Sequence, residues 1–260
     1  MNVLLLRILL TITLLSGIFL LKAQEEKENK KLKFDPGNAI IISPTYTAQF
    51  PFGTMRDRFG FNSHISLNFW YKLKKNWVIG AEGGFLFGNQ VRESYILDHI
   101  TTTTGQNITQ NNTLTTVRPA EQGFTIKAQF GKIIPFTPKF PDAGLLLLTG
   151  VGFLQHKIAL NVRESALPQL SKTYRKGYDR MCNGPVISQF VGYAFMARRK
   201  LYSFYGGLQF DVAFTGERRN YDFYAMKKLD EKRVDMFLGI KVGWILPIFL
   251  QTSETEYYYY

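Results

Sequence analysis

One cysteine, Cys182, stands in 260 residues, so no internal disulfide can form and a thiolate metal site lacks its second ligand. Histidine is scarce as well. His64, His99 and His156 show no paired ligand spacing, and no G-x-S-x-G segment marks a nucleophile. Beyond the first two dozen residues no apolar run is long enough for a membrane helix. These absences leave no catalytic residue, cofactor-binding residue or metal ligand to assign, and no cofactor is expected. They also exclude a disulfide-stapled scaffold and a bundle of membrane helices.

What is present begins with MNVLLLRILLTITLLSGIFLLKAQ, where Arg7 sits inside a long apolar run that ends near the small Ala23. This reads as a signal peptide over 1–23, with a retained membrane helix as the alternative. No cysteine lies near the cleavage point, which argues against a lipoprotein anchor. The charged stretch that follows makes 24–36 a periplasmic tether, and 251–260, with its YYYY run, is a C-terminal tail. Export without disulfides points to a bacterial envelope protein. The formal charge of +12 would suggest nucleic acid in a cytosolic chain, but export argues against that partner. Solvated loops, or attraction to anionic lipid headgroups or to an acidic partner, then account for the excess.

Residues 37–250 carry a two-residue alternation of apolar and polar side chains, the period of a strand. The run from Arg233 to Phe249 is the longest example. Val234, Met236, Leu238, Ile240, Val242, Trp244, Leu246 and Ile248 form one face, and Asp235, Gly239, Lys241 and Gly243 share the other with Phe237 and Ile245. Similar stretches are expected near 39–49, 61–72, 77–88, 124–133, 145–157, 186–196 and 202–214, the first weakened by Pro44. Each is near the ~9–11 residues that a tilted membrane strand needs. The connections sort by length: those after the first, third, fifth and seventh strands are mostly long and polar, the others short. The expected fold is therefore all-β, an eight-stranded antiparallel transmembrane β-barrel with short periplasmic turns and long extracellular loops. The polar connection at 89–121, with TTTTGQNITQNNTLTT, is expected to be partly disordered.

A barrel of this size has an interior just wide enough for side chains. His64, Glu82, Lys127, Gln129, Gln209, Asp211, Asp235 and Lys241 fall on the inward face, so they are read as a polar network that plugs it. A narrow passive pore for ions or small solutes is the alternative. Function is otherwise expected in the loops. Tyr174, Arg175, Tyr178, Arg180, Arg218, Arg219 and Tyr221 are the candidate contacts to a protein partner, since Arg and Tyr dominate interface hot spots. A loop-borne hydrolase or acyl transferase using Asp98, His99 or His156 is a further alternative. Against it, adjacent strand residues point to opposite faces.

The segments RFGFNSHISLNFWYKLKKNWVIGAEGGFLFG, GVGFLQHKI, KGYDRMCNGP and GIKVGWILPIF, with the leader end LLKAQ, resemble those of small outer-membrane barrels of the Bacteroidota. Proteins of this look include accessory barrels of the type IX secretion machinery. The resemblance implies a monomeric, non-enzymatic barrel in the outer membrane of a Gram-negative bacterium, embedded in lipid and joined to protein partners in an envelope complex. It carries over no functional residue.

Overall fold

The computed structural model describes residues 38–73, 75–137, 142–161, 167–196 and 203–249. The expected leader at 1–23, the tether at 24–36 and the tail at 251–260 lie outside them. Eight strands pair as antiparallel neighbours: β1 (Ala39–Gly53), β2 (Asn62–Lys72), β3 (Trp77–Gly88), β4 (Pro119–Pro135), β5 (Ala143–Leu160), β6 (Cys182–Phe195), β7 (Phe204–Glu217) and β8 (Lys232–Trp244, resumed at Leu246–Phe249). The last strand then returns to the first, with Gly53 opposite Asp235 at one end and Ala39 opposite Phe249 at the other. Closure leaves the ring without an edge, so every strand's backbone polar groups can pair inside the sheet, as hydrocarbon requires.

The proline that weakens the first strand is accommodated rather than excluded. Pro44 points outward and lies across from the place where β8 is interrupted, while the register is unchanged on either side, Ile42 opposite Leu246 and Thr45 opposite Gly243. Ile245 keeps its ladder bond on the far side, donating to the Ser203 carbonyl at 2.8 Å. Several strands run past their apolar periodicity. β4 begins at Pro119 rather than Phe124, β6 at Cys182 rather than Val186, and β7 continues to Glu217 rather than stopping at Phe214. These extensions carry the ladder beyond the apolar belt, toward the end with the long connections.

The belt itself is continuous. Ile65, Phe69, Ile79, Phe85, Ile126, Phe130, Val151, Ile187, Leu208, Phe214, Ile240 and Val242 are each more than half exposed, and Phe50 stands among them on β1. Monomeric soluble proteins rarely expose one apolar surface beyond a few hundred Å². A surface of large side chains that runs around the whole ring is therefore a lipid-facing one. At the short-turn end it finishes in aromatic pairs: Trp77 stacks on Phe130 at 4.9 Å under the Lys132 ammonium, and Phe204 stacks on Trp244 at 6.3 Å. Such rings, with one apolar body and a polar edge, suit the headgroup level.

The interior departs from the expected polar face. Trp70, Phe190, Tyr205, Ile41, Ile245 and their neighbours form a buried apolar cluster toward the short turns. A second cluster, with Leu86, Leu154, Val186 and Phe237 from the wall, fills the other end. Glu82, Lys127, Asp211 and Lys241 occupy the level between, while other buried charges pair at the ends, as Lys72 does with Asp142 at 2.7 Å beside the short turns. Glycines on the inward face make room for the larger side chains: a Cβ on Gly243 would lie 2.3 Å from the Tyr205 ring, and one on Gly84 2.3 Å from His64 Nε2.

Candidate functional site

The middle of the bore is a charge-balanced set of buried groups. Lys241 Nζ on β8 lies 2.6 Å from Glu82 Oε2 on β3, and Lys127 Nζ on β4 lies 3.2 Å from Glu82 Oε1 and 3.5 Å from Asp211 Oδ1 on β7. Two lysines thus face two carboxylates. Two amides and an indole add to the set: Gln129 donates to Glu82, Gln209 Nε2 donates to Asp211 Oδ2 at 2.7 Å, and Trp70 Nε1 donates to Gln129 Oε1 at 2.6 Å. His64 Nε2 sits 2.9 Å from Thr125 Oγ1. A gap beside Lys127, Asp211 and Gln49 measures about 10 Å³, room for a single water. Seven of the eight inward residues read from the sequence meet in this set. The eighth, Asp235, does not.

Asp235 belongs to a separate group nearer the long-connection end. Its carboxylate meets His156 Nε2 at 3.1 Å, the Thr215 hydroxyl, and the Thr54 hydroxyl at 3.0 Å. Phe59 covers the imidazole edge-on at 5.7 Å. A histidine oriented by an aspartate is the frame of a general base, but His156 and Asp235 are both fully buried, so no substrate reaches them. His99, the other candidate base, is exposed and lies against Tyr224 at 5.0 Å, and its neighbour Asp98 shares the open surface. The structure brings neither of these to His156.

The tract at 89–121 is folded, which corrects the expectation that it is partly disordered. Within it Ser94–Ile100 forms a 3-10 turn, and Asn107–Ile108 pairs with Leu114–Thr115 as a short hairpin. Threonine makes that hairpin: Thr109 Oγ1 accepts the N–H of Thr113 at 3.1 Å, and Asn112 supplies the left-handed backbone, φ 56°, a conformation asparagine tolerates well. The first connection folds inward as α1 (Thr54–Arg58), whose Met55, with the following Phe59, enters the upper apolar cluster.

Above that cluster the four connections are tied by two arginines. Arg58 from α1 pairs with Glu93 at 3.4 Å and with Glu217, and its Nη1 donates to Cys182 Sγ at 3.1 Å. Arg180 pairs with the same Glu93 at 2.9 Å and with Asp222 at 2.9 Å. Burial opposes the charge of Arg180, but Glu93 and Asp222 outweigh it and hold its pKa above the ordinary value. Its backbone sits at φ 41°, a conformation that costs a side-chain-bearing residue on the order of 1–3 kcal/mol and that the ion pairs offset. Nearby, Gly177 has no room for a side chain, since a Cβ would lie 2.1 Å from the Phe223 ring, and its carbonyl accepts the Phe223 N–H at 2.9 Å. The result is a cap.

Two of the seven candidate contact residues are therefore misassigned by sequence. Tyr178 and Arg180 are buried inside the cap, because Arg180 is one of its ties and Tyr178 packs edge-on against Phe223 at 5.3 Å. Arg219 is held by Asp179, and Arg175 Nη1 donates to the Leu160 carbonyl at 3.3 Å. Tyr174, Arg218 and Tyr221 remain on the open surface. The sequence reading also missed an aromatic pair between two connections, the exposed Tyr95 and the half-buried Tyr224 at 5.1 Å; no local period links residues so far apart.

Among the described residues no helix is long and apolar enough to cross a membrane, which says nothing of the strands, and no cluster of His, Cys, Asp or Glu could hold a metal ion. No protein-family model matches the chain, and no curated protein matches it in sequence. Among solved structures it is similar to Neisserial surface protein A, at 7% identity and TM-score 0.39 over 80% of this chain and 98% of that one. It is also similar to Ail, the attachment invasion locus protein of Yersinia pestis, in complex with the heparin analogue sucrose octasulfate, at 12% identity and TM-score 0.37 over 80% and 98%. The N-terminal β-barrel domain of Pseudomonas aeruginosa OprF matches at 10% identity and TM-score 0.35 over 79% and 96%.

Proposed function

We propose that this chain is a non-enzymatic outer-membrane barrel of a Gram-negative bacterium, acting as a structural or accessory subunit of an envelope assembly such as a secretion machinery. The observation that supports this reading is the filled bore: two apolar clusters close a charge-balanced middle, and the His156–Asp235 pair is sealed beneath the cap. A barrel whose bore is filled by its described residues is suited to work through its surfaces. Of these, the cap offers rigid aromatic and basic side chains, Tyr174, Tyr221 and Arg218, on a scaffold that four connections hold in place. Such side chains bind with little ordering cost.

The test is affinity purification from detergent-solubilised membranes, comparing the wild type with a Tyr174→Ala, Tyr221→Ala, Arg218→Ala variant. An envelope protein recovered in fixed stoichiometry with the wild type, and lost from the variant, supports the reading. A barrel that is solitary in both preparations overturns it.

A further inference from the structure

On the lipid-facing side of the barrel, at the cap end, the strands change character between one half of the ring and the other. Along β5 the outward residues run Val151, Phe153, Gln155 and Lys157; along β7 and just beyond it they run Phe210, Phe214, Gly216 and Arg218; β8 enters with Lys232 before Val234. Register places these ends side by side. Gln155 lies opposite Asn183, Asn183 opposite Gly216, and Gly216 opposite Lys232, while the Arg218 N–H donates to the Met181 carbonyl at 2.9 Å. Lys157, Arg218 and Lys232 thus form an arc of three cations directly above the apolar belt. The corresponding ends of β1, β2 and β3 carry Phe52, Phe61 and Phe87 instead.

Two of the carboxylates nearby, Glu217 and Glu231, are committed elsewhere, and Asp230 is exposed. Glu217 turns inward to Arg58, and Glu231 leans to Arg233 at 3.9 Å. Among the described residues none forms an ion pair with Lys157, Arg218 or Lys232. Arg218 Nε is anchored on Asn183 Oδ1, which fixes the guanidinium plane and leaves its two Nη groups for a bidentate contact. That geometry suits phosphate.

We propose that this arc binds the phosphate groups of a lipid in the outer leaflet, with the acyl chains lying against Phe153, Ile187, Phe214 and Val234 below. The inference rests on the reading of the chain as an outer-membrane barrel whose cap faces outward. Continuity of the cations with the apolar belt selects a lipid over a free anion: only a molecule with both a phosphate and chains spans the two surfaces. Long basic side chains suit the boundary, since their stems lie on apolar surface while the charge reaches the headgroups.

Native mass spectrometry of the detergent-purified protein tests this with three probes: a bis-phosphorylated lipid A, its dephosphorylated form, and inorganic phosphate. The wild type is expected to retain the phosphorylated lipid at least about tenfold better than the dephosphorylated one and to retain no inorganic phosphate. A Lys157→Gln, Arg218→Gln, Lys232→Gln variant should lose the preference, whereas Lys75→Gln at the opposite end should keep it. The heat-dependent gel shift of a folded barrel checks that each variant is folded. Equal retention of both lipids by the wild type, or an undiminished preference in the folded triple variant, overturns the proposal; so does saturable binding of inorganic phosphate. A protein that stays monomeric in buffer without detergent overturns the outer-membrane reading instead, so the two failures are distinguishable.

Discussion

Lys241 and Glu82 meet at 2.6 Å across the bore, although their strands, β8 and β3, are not neighbours in the ring. The contact ties opposite walls together and is fully buried on both sides. Removing one member of such a pair strands the other's charge, which costs about 3–5 kcal/mol, whereas replacing both is close to neutral. Glu82→Gln should therefore lower the unfolding free energy in lipid vesicles by about that amount, as read from urea titration. Glu82→Gln with Lys241→Met should recover most of the loss. A single variant as stable as the wild type would mean that the ion pair does not exist.

The cap depends on Arg180, which joins Glu93 to Asp222. Arg180→Met should free the connection at 218–231 while leaving the barrel closed, because no strand pairing runs through it. Limited proteolysis is expected to cut that connection at least about tenfold faster than in the wild type, the signature of a local opening. The protected strand core should be unchanged. Global unfolding of the variant would show that the cap and barrel are one cooperative unit.

A passive pore needs a continuous wet path, and apolar side chains close both ends of this one. In planar bilayers the wild type should give no resolvable unit conductance at neutral pH. Steady single-channel openings would restore the pore reading.

The eight strands were legible because each side chain's face follows directly from its place in the chain: Ile65 and Phe69 turn outward and His64 and Asn68 inward with no help from the rest of the molecule. Even the apparent exceptions, Trp70, Phe237 and Ile245 on the otherwise polar face, carried information, since they build the two apolar clusters. The cap was not legible. Arg58 and Glu217 are separated by 159 positions, and nothing in RMCNG marks Arg180 as a buried tie rather than a surface contact. Composition also misled at 89–121, where threonine hydroxyls fold a tract that polarity alone would leave loose.

The account stands on the claim that hydrocarbon surrounds the outer face, and a matched pair of substitutions tests it most directly. Ile240 on the belt is 55% exposed and Leu114 on the cap hairpin 57%, so water would treat an arginine at either place alike. In vesicles, Ile240→Arg is expected to cost about 2–4 kcal/mol of unfolding free energy, and Leu114→Arg no more than about 0.5 kcal/mol. Equal, small effects at both positions would contradict the account.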